Sequence, residues 1–303
     1  MPEVGERRLF FSYQPTYHRA MNFVSHAQLL VDLEDWEQKL PAFDAVCGIP
    51  RSGLLPSAYL ALRRNVPHLS LEDLKEDPLR AFARAPLRRI NSAAGKPRGT
   101  RILVVDDSTS DPGNTILQVR EQLSHVRGFD IGYGAVYRES DKTAADYTYR
   151  RIPKPRMFQW NWFRHGYLGR CILDIDGVVC RDWLEREEQN DDPVYLQHLT
   201  AVAPLWVPEL PVLGLATSRL ERYRPQTEAW LARHGVRYKY LYMHSAPTPE
   251  ARRLRGDHAS HKAEVYKKHA DALLFVESSR TQAEQIRAIS KRPVLCIETM
   301  KMY

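Results

Sequence analysis

The chain has 303 residues, enough for two domains of ordinary size, each with its own hydrophobic core. Hydrophobic residues make up 43% of the sequence and charged residues 27%, a composition typical of globular proteins that fold in water. No uninterrupted apolar stretch is long enough to cross a membrane, and the first residues lack the apolar core of a secretory signal. We therefore expect a cytoplasmic protein without a membrane partner.

The formal net charge is +7, which favours anionic ligands. Nucleic acid and phosphorylated small molecules would both satisfy it, but no arginine-rich tail, RNA-binding signature or zinc finger supports nucleic acid. The cysteines lack CxxC spacing, which predicts reduced, buried thiols and disfavours a zinc site. They are Cys47, Cys171, Cys180 and Cys296.

Strand-like runs alternate with helical runs in the first half of the chain. The sequence predicts strands at 43–49, 101–105 and 131–138, with helices at 52–65 and from 114 to a C-terminal cap at Gly128. Residues 152–163 are interrupted by prolines and end in the aromatic run FQWNWF. We expect this last segment to be irregular.

The alternation restarts after residue 164. Predicted strands lie at 171–175, 212–217, 238–243, 272–277 and 293–297, with helices near 225–234, 262–269 and 280–290. Such alternation is typical of parallel sheets covered by helices on both faces. We therefore predict an α/β protein of two doubly wound domains, residues 1–164 and 165–303, each with a mainly parallel sheet flanked by helices.

The segment ILVVDDSTSDPGNT, residues 102–115, places Asp106 and Asp107 at the end of a predicted buried strand. Ligands of doubly wound sheets bind at this end, and the following helix offers free N–H groups and a positive dipole end to a phosphate. Two carboxylates beside such a cradle suit a ligand with vicinal hydroxyls and a phosphate, such as ribose 5-phosphate. An earlier turn, GIPRSG at 48–53, also opens a helix and offers Arg51 to a second anion.

The sequence AVCGIPRSGLLP resembles the pyrophosphate loop of the type I phosphoribosyltransferase family. ILVVDDSTSDPGNT resembles that family's phosphoribosyl pyrophosphate signature, although it has one residue more than the usual pattern, and Pro112 occupies part of the longer loop. The resemblance implies that Asp106 and Asp107 hold the ribose hydroxyls and that Trp160 contacts a flat acceptor. It further implies pyrophosphate and Mg²⁺ at Arg51, Ser52 and Gly53, and the 5-phosphate at Asp111, Gly113, Asn114 and Thr115.

A basic stretch at 80–101 lies between the two segments. Arginines and lysines surround the small-residue run NSAAG in it. We interpret the stretch as a lid that closes on a polyanion, with Arg88 and Arg89 as its substrate contacts. A solvated basic loop is the alternative. For Trp160 and Trp162, packing between domains is an alternative to contact with an acceptor.

A second carboxylate pair occurs in CILDIDGVV, residues 171–179. Asp174 and Asp176 are two positions apart, so in an extended chain their side chains share a face. One carboxylate can attack phosphorus, while the other protonates the leaving alcohol and later activates water. A lone pair of this kind is a weak signal, but matching residues follow at later strand ends.

DIDGVV resembles the first motif of the haloacid dehalogenase superfamily, most of whose members are phosphatases. LGLATSR, HKAEVYKK and ALLFVESS resemble its second, third and fourth motifs in order. In the fourth motif a single acid is followed by two serines, which predicts weaker metal binding or a degenerate domain. The resemblance implies phosphate contacts at Thr217 and Ser218, a balancing cation at Lys262, and Mg²⁺ at Asp174, Asp176 and Glu277.

The two sets of motifs together predict a bifunctional ribosylation enzyme. It would transfer 5-phosphoribose from phosphoribosyl pyrophosphate to a base or another nucleophilic acceptor, then hydrolyse the 5-phosphate through an aspartyl-phosphate. Two alternatives stay open: a nucleotide salvage enzyme with an independent phosphatase, and a non-catalytic nucleotide- or RNA-sensing fold attached to a phosphatase. The acceptor and the choice between monomer and homodimer do not follow from the sequence.

Overall fold

The computed structural model describes residues 21–84, 100–183 and 192–303. Arg88 and Arg89, the predicted lid contacts, lie outside these residues. Within them, no helix is long and apolar enough to cross a membrane. The four cysteines are buried and form no disulfide, as the spacing predicts.

The N-terminal part is built on a parallel sheet of five strands. Its strands, together with two that form a small separate sheet, are β1 (Asn22–Val24), β2 (Ala45–Gly48), β3 (His68–Leu69), β4 (Thr100–Thr109), β5 (Phe129–Arg138), β6 (Tyr147–Arg151) and β7 (Arg156–Phe158). The order in the large sheet is β3-β2-β4-β5-β6, while β1 pairs with β7. The helices are α1 (His26–Glu37), α2 (Leu54–Arg64), α3 (Leu71–Glu76), α4 (Pro78–Arg84) and α5 (Asn114–Gln122).

The run ILVV in β4 is buried on both faces of this sheet. Ile102 and Val104 belong to one core cluster, and Leu103 and Val105 belong to the cluster on the opposite face. Because successive side chains of a strand point to opposite faces, a strand covered on both sides is apolar throughout. β4 continues to Thr109, beyond the predicted end, so the acid pair lies within the strand.

The C-terminal part contains a sheet of six strands. Its strands are β8 (Cys171–Leu173), β9 (Val212–Leu220), β10 (Tyr238–His244), β11 (Leu274–Glu277), β12 (Val294–Cys296) and β13 (Lys301–Met302). The order is β10-β9-β8-β11-β12-β13, and all neighbours are parallel except β13, which is antiparallel to β12. The helices are α6 (Asp192–Ala201), α7 (Arg224–Arg233), α8 (Pro249–Arg255), α9 (His258–Lys268) and α10 (Arg280–Ser290).

The prediction of an α/β protein with two mainly parallel sheets is therefore confirmed. The segment between the sheets is more ordered than predicted, because it contains β7 and two short 3-10 helices, Trp162–Arg164 and Gly166–Arg170. Met157 and Trp162 from this segment, together with Met21, pack into the core beneath the C-terminal sheet. Apolar contacts thus run across the domain boundary predicted at residues 164 and 165.

Candidate functional site

The first acid pair is almost completely buried. Asp106 is 8% exposed and Asp107 5%. Oδ2 of Asp107 accepts a hydrogen bond of 2.6 Å from Nε1 of Trp160, and Oδ1 of Asp106 accepts one of 2.8 Å from the Asp107 amide. Burial, with the neighbouring Asp107 carboxylate, raises the pKa of Asp106 to about 8. Near neutral pH the pair therefore carries a proton that it can donate, beside carboxylate oxygens that accept.

The loop predicted to hold pyrophosphate lies directly against this pair. The Ile49 amide donates 2.8 Å to the carbonyl oxygen of Val105, the residue before Asp106. A Cβ added at Gly53 would lie 2.3 Å from the same oxygen, so only glycine allows this approach. Arg51 is exposed and Ser52 partly exposed beside it. The structure thus brings the predicted loop and the predicted acid pair together.

The loop predicted for the 5-phosphate leads into α5 through Gly113. This residue has φ +93°, and a Cβ there would lie 2.8 Å from Oγ1 of Thr109. Asn114 and Thr115 are exposed in the first helical turn. The Asp111 carboxylate is engaged elsewhere, since its Oδ2 accepts 2.6 Å from Oγ of Ser140. A carboxylate repels phosphate, so the donors that the loop offers to it are its N–H groups and the side chains of Asn114 and Thr115.

Arg156 supports this loop, and no sequence motif marks it. Its side chain is buried; Nη2 donates 2.9 Å to the Thr109 carbonyl and 3.3 Å to Oγ of Ser110, while Nη1 donates 3.0 Å to the Ile152 carbonyl. Burial lowers the pKa of the guanidinium. An arginine at the start of the short strand β7, directly before Met157 and Phe158, was the available signal, because a buried cation needs such partners.

The tryptophans of the aromatic run at 158–163 have two different roles. Trp160 stacks on Phe158 with ring centroids 4.9 Å apart, and Tyr137 stacks with both rings, at 5.5 Å from Phe158 and 6.5 Å from Trp160. Trp160 also bonds to Asp107, so it belongs to the first site. Trp162 is 3% exposed and packs in the C-terminal core. Contact with an acceptor therefore stays a prediction for Trp160, whereas Trp162 serves packing.

The second acid pair lies at the carboxyl end of β8 and is divided between two cations. Nζ of Lys262 donates 2.7 Å to Oδ2 of Asp174, 2.7 Å to Oε2 of Glu277 and 2.9 Å to Oε1 of Gln282. Burial raises the pKa of Asp174, and Lys262 opposes the rise. Burial also opposes the charge of Lys262, but its two carboxylate partners outweigh this and raise its pKa.

Arg219 is the partner of Asp176, and sequence reasoning missed it. The guanidinium is 1% exposed and forms a fork, with Nε 3.0 Å from Oδ2 of Asp176 and Nη2 2.6 Å from Oδ1. Burial would raise the pKa of Asp176, but Arg219 holds it below its usual value. Oγ1 of Thr217 lies 3.4 Å from the same carboxylate. The arginine in the run ATSR, two positions after Thr217, was the available signal.

The structure therefore brings five predicted residues to neighbouring strand ends and α9: Asp174, Asp176, Thr217, Lys262 and Glu277. The three carboxylates do not share one point, however, because Asp174 and Glu277 face Nζ of Lys262 whereas Asp176 faces Arg219. Oε1 of Glu277 accepts from the Ser278 and Ser279 amides, and Oδ1 of Asp174 accepts from the Ile175 amide. Among the residues that the structure describes, no group of three or more His, Cys, Asp or Glu side chains is arranged to hold a metal ion. In this arrangement the carboxylates of Asp174, Asp176 and Glu277 bind the side chains of Lys262 and Arg219, and they do not form a coordination site for Mg²⁺.

No protein-family model matches the sequence, and no curated protein matches it. Among solved structures, a xanthine-guanine-hypoxanthine phosphoribosyltransferase from Helicobacter pylori is similar at 19% identity and TM-score 0.34, over 46% of this chain and 92% of that one. A purine phosphoribosyltransferase from Pyrococcus horikoshii is similar at 18% identity and TM-score 0.34, over 47% of this chain and 95% of that one. A hypothetical protein from Neisseria gonorrhoeae with bound ppGpp is similar at 13% identity and TM-score 0.34, over 48% of this chain and 92% of that one. At these scores the likenesses assign this chain to no family.

Proposed function

We propose that the protein transfers 5-phosphoribose from phosphoribosyl pyrophosphate to an acceptor and hydrolyses a phosphomonoester at a second site. The first half of the proposal rests on the contact of Ile49 and Gly53, in the loop around Arg51, with the Val105 carbonyl directly before Asp106 and Asp107. Two anion-binding loops and a hydroxyl-binding acid pair then meet at one edge of the N-terminal sheet.

In the transfer, the acid pair binds the ribose hydroxyls, and the start of α5 binds the 5-phosphate. Trp160, held by Asp107 and stacked on Phe158, offers an aromatic face to a flat acceptor. The acceptor's lone pair forms the new bond to C1 of the ribose as the bond from C1 to the pyrophosphate oxygen breaks. Pyrophosphate leaves with the bonding electrons.

At the second site, a carboxylate oxygen of Asp174 attacks phosphorus as the bond from phosphorus to the alcohol oxygen breaks; the alcohol oxygen leaves with the bonding electrons and takes a proton from Asp176. Water then attacks the aspartyl-phosphate and gives its proton to Asp176 while phosphate leaves. The pairing of Asp176 with Arg219 favours the ionised carboxylate, which suits this base step. The convergence of Asp174, Asp176, Thr217 and Lys262 carries this half of the proposal. No step is assigned to Mg²⁺, although both resemblances imply it as a cofactor.

The test compares three proteins by mass spectrometry, with phosphoribosyl pyrophosphate and a library of nucleophilic acceptors. Wild type should yield pyrophosphate and a free riboside. Asp174→Asn should still release pyrophosphate and accumulate the 5-phosphorylated riboside, because an amide is a poor nucleophile. The Asp106→Ala, Asp107→Ala double variant should make neither product, yet should dephosphorylate the intermediate when it is supplied.

Two outcomes would contradict different parts of the proposal, one the phosphatase step and the other the transfer step. Free riboside from the Asp174→Asn protein would reject the assigned nucleophile. Saturable binding of phosphoribosyl pyrophosphate by calorimetry, without pyrophosphate release for any acceptor, would favour the non-catalytic sensor. Loss of that binding in the double variant, by well over tenfold (about 1.4 kcal/mol), would still locate the ligand at the acid pair.

A further inference from the structure

One flank of the second site is formed by α8 and the end of β9. Nη1 of Arg252, on α8, donates 2.6 Å to the carbonyl of Ser218, the residue after Thr217. The partly buried Tyr195 lies between this arginine and the site: desolvation and Asp176 raise the pKa of its phenol, while Arg219 and Arg252 lower it. Arg252 is thus an electrostatic neighbour of the groups around Asp176.

Two buried polar atoms on this flank have no hydrogen-bond partner within the described part of the chain: Oγ of Ser218 and Nε of Arg252. The acids close to Arg252 in sequence are engaged elsewhere, since Glu250 pairs with Arg253 and Asp257 with His244. Buried polar groups are almost always hydrogen-bonded, and two unpartnered donors on adjoining residues point to a ligand. An arginine and a hydroxyl suit an anion.

The charge balance of the site supports an anion here. With all groups ionised, three carboxylates (Asp174, Asp176 and Glu277) face two cations, Lys262 and Arg219, which leaves one net negative charge. A phosphorylated substrate therefore needs a further cation, and Arg252 supplies one without a carboxylate partner among the described residues. His258 adds no charge, because burial, Arg252 and Lys262 lower its pKa to about 4.

The anion bound here lies on a different face of β9 from the side chains of Thr217 and Arg219. The side chains of Thr217 and Arg219 contact Asp176, and alternation along β9 turns the Ser218 side chain to the opposite face of the sheet. Tyr195, whose phenol is influenced by Asp176, contacts two further aromatic rings: it lies 5.9 Å from Trp183 and 5.0 Å from Tyr223 between ring centroids. Such rings suit the base of a nucleotide.

We propose that Ser218 Oγ and Arg252 Nε bind a second phosphate group of the substrate, beside the phosphoryl group that Asp174 attacks. The substrate class is then a phosphomonoester that carries another phosphate, supplied either by a nucleoside 3′,5′-bisphosphate or by the 5′-phosphorylated end of a nucleic acid strand. This inference names the substrate of the second site and rests on the proposed phosphatase function.

The test measures binding to the full chain carrying Asp174→Asn, so that no turnover is required. Calorimetry compares adenosine 5′-monophosphate, adenosine 3′,5′-bisphosphate and a 5′-phosphorylated dinucleotide. The bisphosphate or the dinucleotide should bind at least about tenfold more tightly than the monophosphate, and the preferred one identifies the source. Arg252→Gln should remove most of this preference, and Arg252→Lys, which keeps the charge but loses Nε, should remove part of it.

Arg253→Gln is the matched control, because Arg253 is exposed on the same helix and its removal changes the net charge equally. It should keep the preference. Equal affinity for all three ligands, or a preference that survives Arg252→Gln, would overturn the proposal. Phosphate release from the same ligands by wild type distinguishes the anion site from the phosphatase function. If the binding preference is present but no ligand releases phosphate, the phosphatase function is rejected and the anion site is retained.

Discussion

Trp160 donates its indole N–H to Asp107 across 2.6 Å, and the two residues are 53 positions apart in the chain. The hydrogen bond connects the aromatic segment after β7 to the acid pair in β4. The same segment sends Trp162 into the core of the C-terminal sheet. The first site and the second sheet are therefore linked through a few consecutive residues.

Trp160→Phe should destabilise the protein by about 1.5–3 kcal/mol, the usual contribution of a hydrogen bond to a charged group. The phenyl ring keeps the stacking on Phe158 but leaves a buried Asp107 oxygen without its donor. Urea unfolding followed by circular dichroism measures the change. Trp206→Phe is the control, because Trp206 is 41% exposed, and it should stay within about 0.5 kcal/mol of wild type. Equal stability of Trp160→Phe and wild type would mean that the hydrogen bond from Trp160 to Asp107 contributes nothing measurable to the unfolding free energy.

Asp106→Asn should become increasingly more stable than wild type as the pH rises from about 4 to about 8. The folded-state pKa of Asp106 is raised to about 8, so in this window the unfolded chain releases a proton that the folded chain retains. Stability of the wild type therefore falls with rising pH, by at most about 1.4 kcal/mol per pH unit, and levels off above the folded-state pKa. The asparagine variant lacks this titration.

Urea unfolding at a series of pH values measures this difference. Asp130→Asn changes an exposed aspartate, and its stability curve should run parallel to that of wild type. A constant difference between Asp106→Asn and wild type from pH 4 to 8 would mean that folding does not raise the pKa of Asp106.

The sequence predicted where the sites lie better than it predicted which residues complete them. Acids and glycines at strand ends follow from local pattern, and parallel topology brings strand ends to one edge of a sheet. Arg156 and Arg219 leave only a weak local signal, an arginine within or beside an apolar run, because an arginine is ordinarily a surface residue and its burial depends on partners distant in sequence. β6, with its partly exposed sequence YTYRR, has no apolar run to mark it at the edge of the sheet.

Lys262→Met should destabilise the protein by about 3–5 kcal/mol, because it leaves the carboxylates of Asp174 and Glu277 buried without a cation. Lys267→Met is a matched control on the same helix, since Lys267 is exposed and its ion pair among the described residues is with Glu264 on the surface. We expect it to change the unfolding free energy by less than about 1 kcal/mol. If the two substitutions cost the same in thermal or urea unfolding, the buried ion pairs contribute nothing measurable.

Gly177→Ala should lower the unfolding free energy by more than the positive φ of this residue alone would cause. Gly177 has φ +77°, and a Cβ there would lie 2.4 Å from Cβ of Ser278, the residue after Glu277. The loops after β8 and β11 would have to separate, which would disturb both Asp176 and Glu277. Gly128→Ala provides the control, because Gly128 has φ +83° but no atom within 4 Å of an added Cβ. It should cost roughly 1–2 kcal/mol, the penalty of the left-handed conformation. Urea unfolding should show a clearly larger loss for Gly177→Ala, together with weaker phosphate release. Equal losses for the two alanines would mean that the loops move apart at no cost, and that the close contact between them does not position the second site.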